Sequence, residues 1–175
     1  MLAIAMDRAN RFDRMIRQRN WRESAAGVLV AAIFGFIAWK SPNTLALAGN
    51  LVVAASGLWY VFYMLRYGHG APLPAPDRSL GDFQQALLGQ YDHQIRLLLN
   101  VKYWYLLPPY VGLLLASAGI MMAEAAKGQP GWPQLIAVAV YTAVFAVVWW
   151  LNGTYGVRKL RTARERLLKE MNQGA

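Results

Sequence analysis

The sequence predicts an all-α membrane protein with four transmembrane helices in two hairpins and further amphipathic helices on the cytoplasmic side. The chain of 175 residues is 57% hydrophobic and 15% charged, whereas roughly 25% of the residues in an average soluble domain are charged. The charges are also unevenly placed, because four long stretches carry none and the basic residues lie at alternate ends of these stretches. Composition and charge placement therefore favour a bilayer as the solvent of the apolar helices.

The four uncharged stretches are the predicted transmembrane helices, since about 20 apolar residues cross a bilayer at a helical rise of ~1.5 Å per residue. We place the spans around these stretches, at residues 24–40, 44–66, 104–125 and 133–153, with Lys40, Arg66 and Glu124 at their ends. The first span is short, but Trp21 at one end and Trp39 with Lys40 at the other are suited to membrane interfaces. A cleaved signal peptide is the alternative for this stretch, and its late start and lack of a small-residue cleavage pattern disfavour it.

The orientation follows from the positions of Lys and Arg. Of the 18 such residues, all except Lys40 and Lys127 precede the first span, separate the second from the third, or follow the fourth. Cationic loops are retained in the cytoplasm, so we expect both termini and the middle loop there. The predicted organisation is a basic amphipathic helix at 1–23, a transmembrane hairpin at 24–67, a linker with an amphipathic helix at 68–102, a second hairpin at 103–153 and a basic helix at 154–175.

Turn residues and aromatic side chains mark the ends of the spans. Ser41-Pro42-Asn43-Thr44 predicts a tight turn with Asn or Thr as helix cap, and a kink or break is expected at Pro108-Pro109. Aromatic residues cluster at Trp59, Tyr60, Phe62, Tyr63, Tyr67, Tyr103, Trp104, Tyr105, Trp149, Trp150 and Tyr155. A belt at the membrane interface is the ordinary explanation, and an aromatic ligand box is the alternative.

Small residues recur at helical spacing inside the spans. Lipid gives no hydrophobic drive for helix association, so close backbone approach has to provide it. The predicted packing residues are Gly27, Ala31 and Gly35 in the first span and Gly112, Ala116 and Gly119 in the third. Such contacts form within one chain or between copies in a homo-oligomer, and contact within the chain is the simpler interpretation.

No Asp, Glu, Lys, Arg or His lies in the interior of the spans. Ion pathways and proton relays nearly always place an ionisable group there, so transport is disfavoured. The notable polar residues are Asn50, Ser56, Ser117, Tyr141 and Thr142. A small oligomeric transporter or channel around Asn50, Ser56 and Thr142 remains the alternative.

Three segments outside the spans have the periodicity of amphipathic helices. The middle helix carries Phe83, Leu87, Tyr91, Ile95 and Leu98 on one side and Gln85, Gln90, Asp92, Arg96 and Asn100 on the other. The terminal helices have apolar sides with Ala5, Ala9, Phe12 and Ile16, and with Val157, Leu160, Leu167, Leu168 and Met171. We expect the middle helix to lie on the membrane surface or against the other cytoplasmic helices, with Asp77 or Ser79 as its cap.

The basic faces of the terminal helices are the predicted contact sites. Each cation near an anionic membrane surface contributes about 1 kcal/mol, so we expect anionic lipid headgroups as the partner, with a groove of a cytoplasmic protein as the alternative. The contact residues are Arg8, Arg11, Arg14, Arg17, Arg19, Arg22, Arg158, Lys159, Arg161 and Arg164. Nucleic acid is disfavoured because no recognition module is visible.

The sequence lacks a constellation of catalytic or metal-ligating residues. It has no cysteine, and its two histidines, His69 and His93, have no converging ligands. Neither a phosphate loop, a nucleophile elbow nor a metalloprotease helix occurs. We therefore predict a protein that is not an enzyme and that binds neither a cofactor nor a metal.

Two stretches carry a recognisable combination of residues. The first is Arg11-Phe12 through Arg19-Asn20-Trp21-Arg22-Glu23, and the second is Phe83-Gln84 followed by Gln94, Leu97, Leu98, Val101, Trp104-Tyr105-Leu106-Leu107-Pro108 and Gly112. They resemble a family of small uncharacterised bacterial multi-pass inner-membrane proteins, over residues 11–67 and 82–112, although Gln84 stands where that family usually has His. The resemblance implies a bacterial inner-membrane protein, often encoded near alternative sigma factors, and implies no chemistry.

Taken together, these patterns predict a non-enzymatic integral membrane protein whose basic cytoplasmic helices form a docking or anchoring surface. A transporter or channel is one alternative, and an accessory subunit of a larger membrane complex is another.

Overall fold

The chain is a succession of helices. The computed structural model describes residues 2–68 and 79–173, and for residues 2–5 and 8 it describes the backbone alone. The helices are α1 Leu2–Trp39, α2 Thr44–Tyr67, α3 Leu80–Leu99, α4 Leu107–Ala125, α5 Trp132–Leu151 and α6 Val157–Gln173. Two π-helical turns, Lys102–Leu106 and Asn152–Gly156, lead directly into α4 and α6, and the described ranges contain no strand. The predicted linker with His69, Asp77 and Arg78 lies outside the described residues, and so does the side chain of Arg8.

Four helical stretches are long and apolar enough to cross a membrane. They are Ala9–Trp39, Thr44–Tyr67, Lys102–Ala125 and Trp132–Gln173. The prediction of an all-helical chain with four such helices is confirmed. The amphipathic helix predicted at 1–23 and the first predicted span are one continuous helix, α1, because no proline interrupts the sequence between them.

The chain divides into two units. The basic unit comprises residues 1–22, 63–100 and 151–175, and the span unit comprises residues 23–62 and 101–150. Of the 18 Lys and Arg residues, all except Lys40, Lys102 and Lys127 belong to the basic unit. Of the nine Asp and Glu residues, Glu23 and Glu124 alone belong to the span unit. The division therefore separates most of the charge from most of the apolar helical surface.

The core of the basic unit joins α1, α3 and α6. Ala9, Leu87, Tyr91 and Leu167 form one buried cluster. Phe12 packs against Tyr91, with ring centroids 4.7 Å apart. Partly buried side chains surround the cluster at Leu88, Leu160, Ala163 and Met171. The apolar sides predicted for the three amphipathic helices thus pack against one another, which is one of the two placements expected for the middle helix.

Side-chain caps fix the starts of two helices. Ser79 and Asp82 form a capping box at α3, in which each side chain accepts the other residue's backbone N–H at 3.2 Å. Asn43 caps α2 by accepting from the Ala46 N–H at 2.9 Å, and its amide donates to the Gly119 carbonyl of α4 at 2.6 Å. Asn43 therefore caps one helix and ties it to another.

The break expected near Pro108-Pro109 takes the form of a helix end and a π turn. Helix α3 ends at Leu99, and the chain continues through the π turn, in which the Leu107 N–H donates to the Lys102 carbonyl. Both prolines then occupy the first turn of α4. Their missing N–H groups cost little there, because the first helical positions have no partner within the helix.

Candidate functional site

The cations predicted as contact residues lie mostly on the surface of the basic unit. The exposed residues among them are Arg11, Arg14, Arg17, Arg22, Arg158, Lys159 and Arg161, while Arg19 and Arg164 are partly buried. The side chain of Arg8 lies outside the described residues. Helical spacing explains this distribution, because the cations alternate with the apolar residues that form the core.

Three acidic residues neutralise part of this charge. Asp7 pairs with Arg11, and Asp13 pairs with Arg17 at 3.1 Å, both one turn apart on α1. Asp92 of α3 accepts from Arg164 of α6 at 2.7 Å. The remaining exposed contact residues form no ion pair within the described part of the chain: Arg14, Arg22, Arg158, Lys159 and Arg161. The surface is thus a set of cations with little local compensation.

A buried amide network lies beside this surface. Gln94 is 1% exposed, accepts from the Arg19 guanidinium at 2.8 Å and donates to the Gly68 carbonyl at 3.1 Å. Gln90, which the sequence pattern placed on the polar face, is 2% exposed. A Cβ on Gly68 would overlap the Met64 carbonyl oxygen, so a larger residue where α2 ends would have to displace backbone. The network holds α1, α2 and α3 of the basic unit in one arrangement.

Small residues bring the backbones of the span unit together. A Cβ on Gly57 of α2 would lie 2.6 Å from the Gly27 carbonyl and 3.1 Å from the Ala31 nitrogen of α1. A Cβ on Gly112 of α4 would lie 2.8 Å from the carbonyl of Gly49 in α2. Helix α2 therefore packs backbone to backbone against both α1 and α4.

The other predicted packing residues differ in how closely neighbouring helices approach them. A Cβ on Gly119 would lie 2.8 Å from the Cα of Ala46, and Ala116 is 5% exposed. Gly35, in contrast, has no atom within 4 Å of its Cβ position. The predicted packing residues include none from the second span, although Gly49, Val53 and Gly57 show the same four-residue spacing there.

The polar residues of the spans bond to separate partners. Asn50 is 3% exposed and donates to the Ser41 hydroxyl at 3.0 Å. Ser56 and Thr142 each donate to a carbonyl one turn earlier in their own helix, at 2.7 and 2.6 Å. Ser117 and Tyr141 share a hydrogen bond between α4 and α5. These bonds satisfy each group locally.

A cavity of about 330 Å³ lies within the span unit, lined by α1, α2, the π turn before α4, α4 and α5. Its wall is mainly apolar, with Val30, Phe34, Val53, Leu113, Val144 and Phe145 among the lining residues. The polar side chains that reach it are Glu23, Ser56, Tyr60 and Tyr105. The cavity therefore combines an apolar body with a few polar groups, as small-molecule sites do.

An acid and two phenols meet at one end of this cavity. The hydroxyl of Tyr60, which is 6% exposed, donates to the Glu23 carboxylate at 2.5 Å. The Tyr60 ring lies 4.7 Å from the Tyr105 ring and stacks on Trp104 with an interplanar angle of 2°. The sequence pattern predicts Glu23 just outside the first span and these rings in an interface belt. The signal in the sequence is the position of Glu23, an acid directly before the first apolar stretch.

The described residues contain no group of three His, Cys, Asp or Glu side chains that could hold a metal ion. His93 is used structurally, since its Nε2 donates to the Tyr67 carbonyl at 2.7 Å. Comparison with known proteins finds no matching family model, curated protein or solved structure. The resemblance to a family of small bacterial membrane proteins therefore stays a prediction.

Proposed function

We propose that this chain is a non-enzymatic, multi-pass protein of a bacterial inner membrane, whose basic unit anchors to anionic lipid headgroups. In this proposal the four spans form two hairpins and both termini lie in the cytoplasm, as the distribution of Lys and Arg indicates. The observation that carries the proposal is the mutual packing of the apolar faces of α1, α3 and α6, which leaves the cations outward.

The packing decides how such a unit meets a membrane. A single amphipathic helix binds by burying its apolar face among the acyl chains. Here those faces are already used, because Ala9 is 1% exposed and Leu167 is 4% exposed. The surface left for the membrane carries the exposed cations, with exposed side chains such as Trp21 and Met15 among them, so the cations supply an electrostatic part of the contact with lipid.

The strength of such a contact scales with the number of cations. Each Lys or Arg near an anionic surface contributes about 1 kcal/mol, and five exposed cations have no ion pair within the described residues. The contact is also sensitive to salt, because screening acts over ~8 Å at physiological ionic strength. A preference for anionic over zwitterionic lipid that weakens at high salt is the expected property.

The test uses the full chain in maltoside micelles with equal amounts of fluorescent phosphatidylglycerol and phosphatidylcholine. We expect the wild type to retain phosphatidylglycerol at low salt, and the triple variant Arg158→Gln, Lys159→Gln, Arg161→Gln to lose several-fold of that preference. The matched control is Lys40→Gln with Lys127→Gln, which removes the two cations predicted on the opposite side. Equal retention by the triple variant and the wild type would refute the proposal, and a stable complex with a cytoplasmic protein instead of lipid would favour docking over anchoring.

A further inference from the structure

The cavity of the span unit has an acid and two phenols at one end and a mainly apolar wall elsewhere. We propose that it holds one acyl chain of a membrane lipid, whose ester carbonyl accepts a hydrogen bond from the Tyr105 hydroxyl. Every lining residue belongs to the span unit, so this site is separate from the basic unit and from the proposed contact with headgroups.

The cavity is open to its surroundings at α1 and α5. Val30 of α1 and Val144 of α5 both line it, and they are 36% and 51% exposed. Both helices belong to stretches that are long and apolar enough to cross a membrane. In a bilayer these stretches lie in the hydrocarbon core, so the opening faces acyl chains. The occupant therefore enters from the surrounding lipid.

The depth of the cavity matches one leaflet of a bilayer. Along α1 the lining residues extend from Glu23 to Phe34, which corresponds to about 16 Å at a helical rise of ~1.5 Å per residue. The hydrocarbon core is ~30 Å thick, so the chains of one leaflet reach about half of that distance. The volume of about 330 Å³ lies at the lower end of the range for small-molecule sites, roughly 300–1,000 Å³. These dimensions suit a single chain.

The polar end of the cavity offers one hydrogen-bond donor to a ligand. The hydroxyl of Tyr60 donates to Glu23 at 2.5 Å, and that of Ser56 donates to the Val52 carbonyl at 2.7 Å. The hydroxyl of Tyr105 makes no hydrogen bond within the part of the chain that the structure describes. A hydroxyl without a partner costs free energy in an apolar environment, and an acceptor on the ligand removes that cost.

The group that meets Tyr105 is uncharged. No Lys or Arg of the described ranges lines the cavity, so an anion would lie beside the Glu23 carboxylate with no opposite charge in the wall. A cation finds the attractive surfaces in use, because Glu23 already accepts from Tyr60 and the Tyr60 ring is stacked on Trp104. An ester carbonyl is neutral and only accepts hydrogen bonds, and the acyl chain of a glycerolipid carries one at its head.

The experiment compares different heads on a constant dodecyl chain. The full chain is kept in amphipol, because an alkyl maltoside would itself offer a chain to the cavity, and bound probe is counted by native mass spectrometry. The probes are methyl dodecanoate, dodecanoate and dodecyltrimethylammonium. We expect one methyl dodecanoate per chain and about tenfold weaker binding of the two charged probes. Didodecanoylphosphatidylcholine should displace the methyl ester, and a failure to displace it would overturn the assignment to a membrane lipid.

Two variants test the hydrogen bond and the apolar body separately. Tyr105→Phe keeps the ring and removes the hydroxyl, so binding of methyl dodecanoate should weaken about two- to tenfold, the range for losing one neutral hydrogen bond. Its matched control is Tyr103→Phe, which lies in the same π turn and outside the cavity wall. Val144→Phe narrows the opening and should lower the occupancy several-fold. Its matched control is Val140→Phe, one turn earlier on α5, similarly exposed and outside the wall.

The outcomes separate recognition of the ester from the filling of an apolar space. Weaker binding in Tyr105→Phe and Val144→Phe, with wild-type binding in both controls, supports the site. Wild-type affinity in Tyr105→Phe, or equal binding of dodecanoate and methyl dodecanoate, would overturn the proposal. Methyl dodecanoate carries no phosphate, so either result is independent of the headgroup preference of the basic unit.

Discussion

The closest approach of α2 to α4 gives the sharpest test of the span unit. A Cβ added to Gly49 would lie 2.6 Å from the Gly112 carbonyl oxygen and 2.7 Å from the Cα of Ala116. Both opposing atoms belong to backbone, so no side-chain rotation can make room. The change Gly49→Ala must therefore move one helix away from the other.

The expected loss of stability follows from two opposing terms. Overpacking a tight contact costs ~1–3 kcal/mol, and the upper end applies here because the opposing atoms are backbone. Alanine gains about 1 kcal/mol over glycine in a helix. The net effect of Gly49→Ala is a loss of about 2 kcal/mol in the free energy of unfolding, roughly a thirtyfold change in the ratio of folded to unfolded protein.

Gly35→Ala is the matched control, since Gly35 is also helical and has no atom within 4 Å of its Cβ position. The measurement is reversible unfolding in mixed dodecyl sulfate and maltoside micelles, followed by circular dichroism. Gly35→Ala should be neutral or stabilising by up to ~1 kcal/mol. Equal stability of the two variants would refute the backbone contact, whereas a dimer lost only in Gly35→Ala would show that this glycine packs between copies of the chain.

Three further predictions concern the basic unit and the orientation of the chain. Gln94→Leu leaves the Gly68 carbonyl without its side-chain donor and should destabilise the basic unit by about 2 kcal/mol. The measurement is hydrogen exchange, which should become faster in α3. The control is Gln85→Leu at an exposed position of the same helix, which should leave exchange unchanged. A double-mutant cycle on Asp92 and Arg164 should give a coupling below ~1 kcal/mol, because the two side chains are 45% and 36% exposed; a larger value would mean that the pair is screened less than its exposure implies. A reporter fused after α6 should be active in the cytoplasm and one inserted in the turn after α4 in the periplasm, and the reverse pattern would contradict the orientation.

Apolar periodicity predicted most of the core of the basic unit. Phe83, Leu87, Tyr91 and Ile95 were expected on one side of the middle helix, and all four are buried. Leu98 belongs to the same pattern and is only partly buried, while Leu97 is 7% exposed. Apolar periodicity identifies which side of a helix is buried, but the helices packed against it determine where the buried surface ends. The sequence of one helix contains no information about those neighbouring helices.

The burial of two amide side chains could not be predicted from apolar periodicity, for a physical reason. Gln90 and Gln94 are polar, so a hydrophobic pattern assigns them to solvent. Their burial depends on partners far away in sequence, namely Arg19 and the Gly68 carbonyl in the case of Gln94. A buried amide costs little free energy only when both its donor and its acceptor are satisfied, and a one-dimensional pattern cannot supply that condition.

The π turns explain why the contacts of the aromatic residues near the spans could not be predicted from helical periodicity. A π turn inserts one extra residue into a helix, which rotates everything beyond it by about 100° relative to a regular helix. Tyr103, Trp104 and Tyr105 lie inside such a turn, and the proline pair that follows removes the N–H groups that a regular register would use. A belt at the interface needs only that aromatic residues lie near the end of a span, so it was the natural prediction. The belt stays a prediction, and the π turn also brings Tyr105 against Tyr60, whose hydroxyl bonds to Glu23. The contact between Tyr105 and Tyr60 at the polar end of the cavity therefore depends on a π turn that apolar periodicity does not reveal.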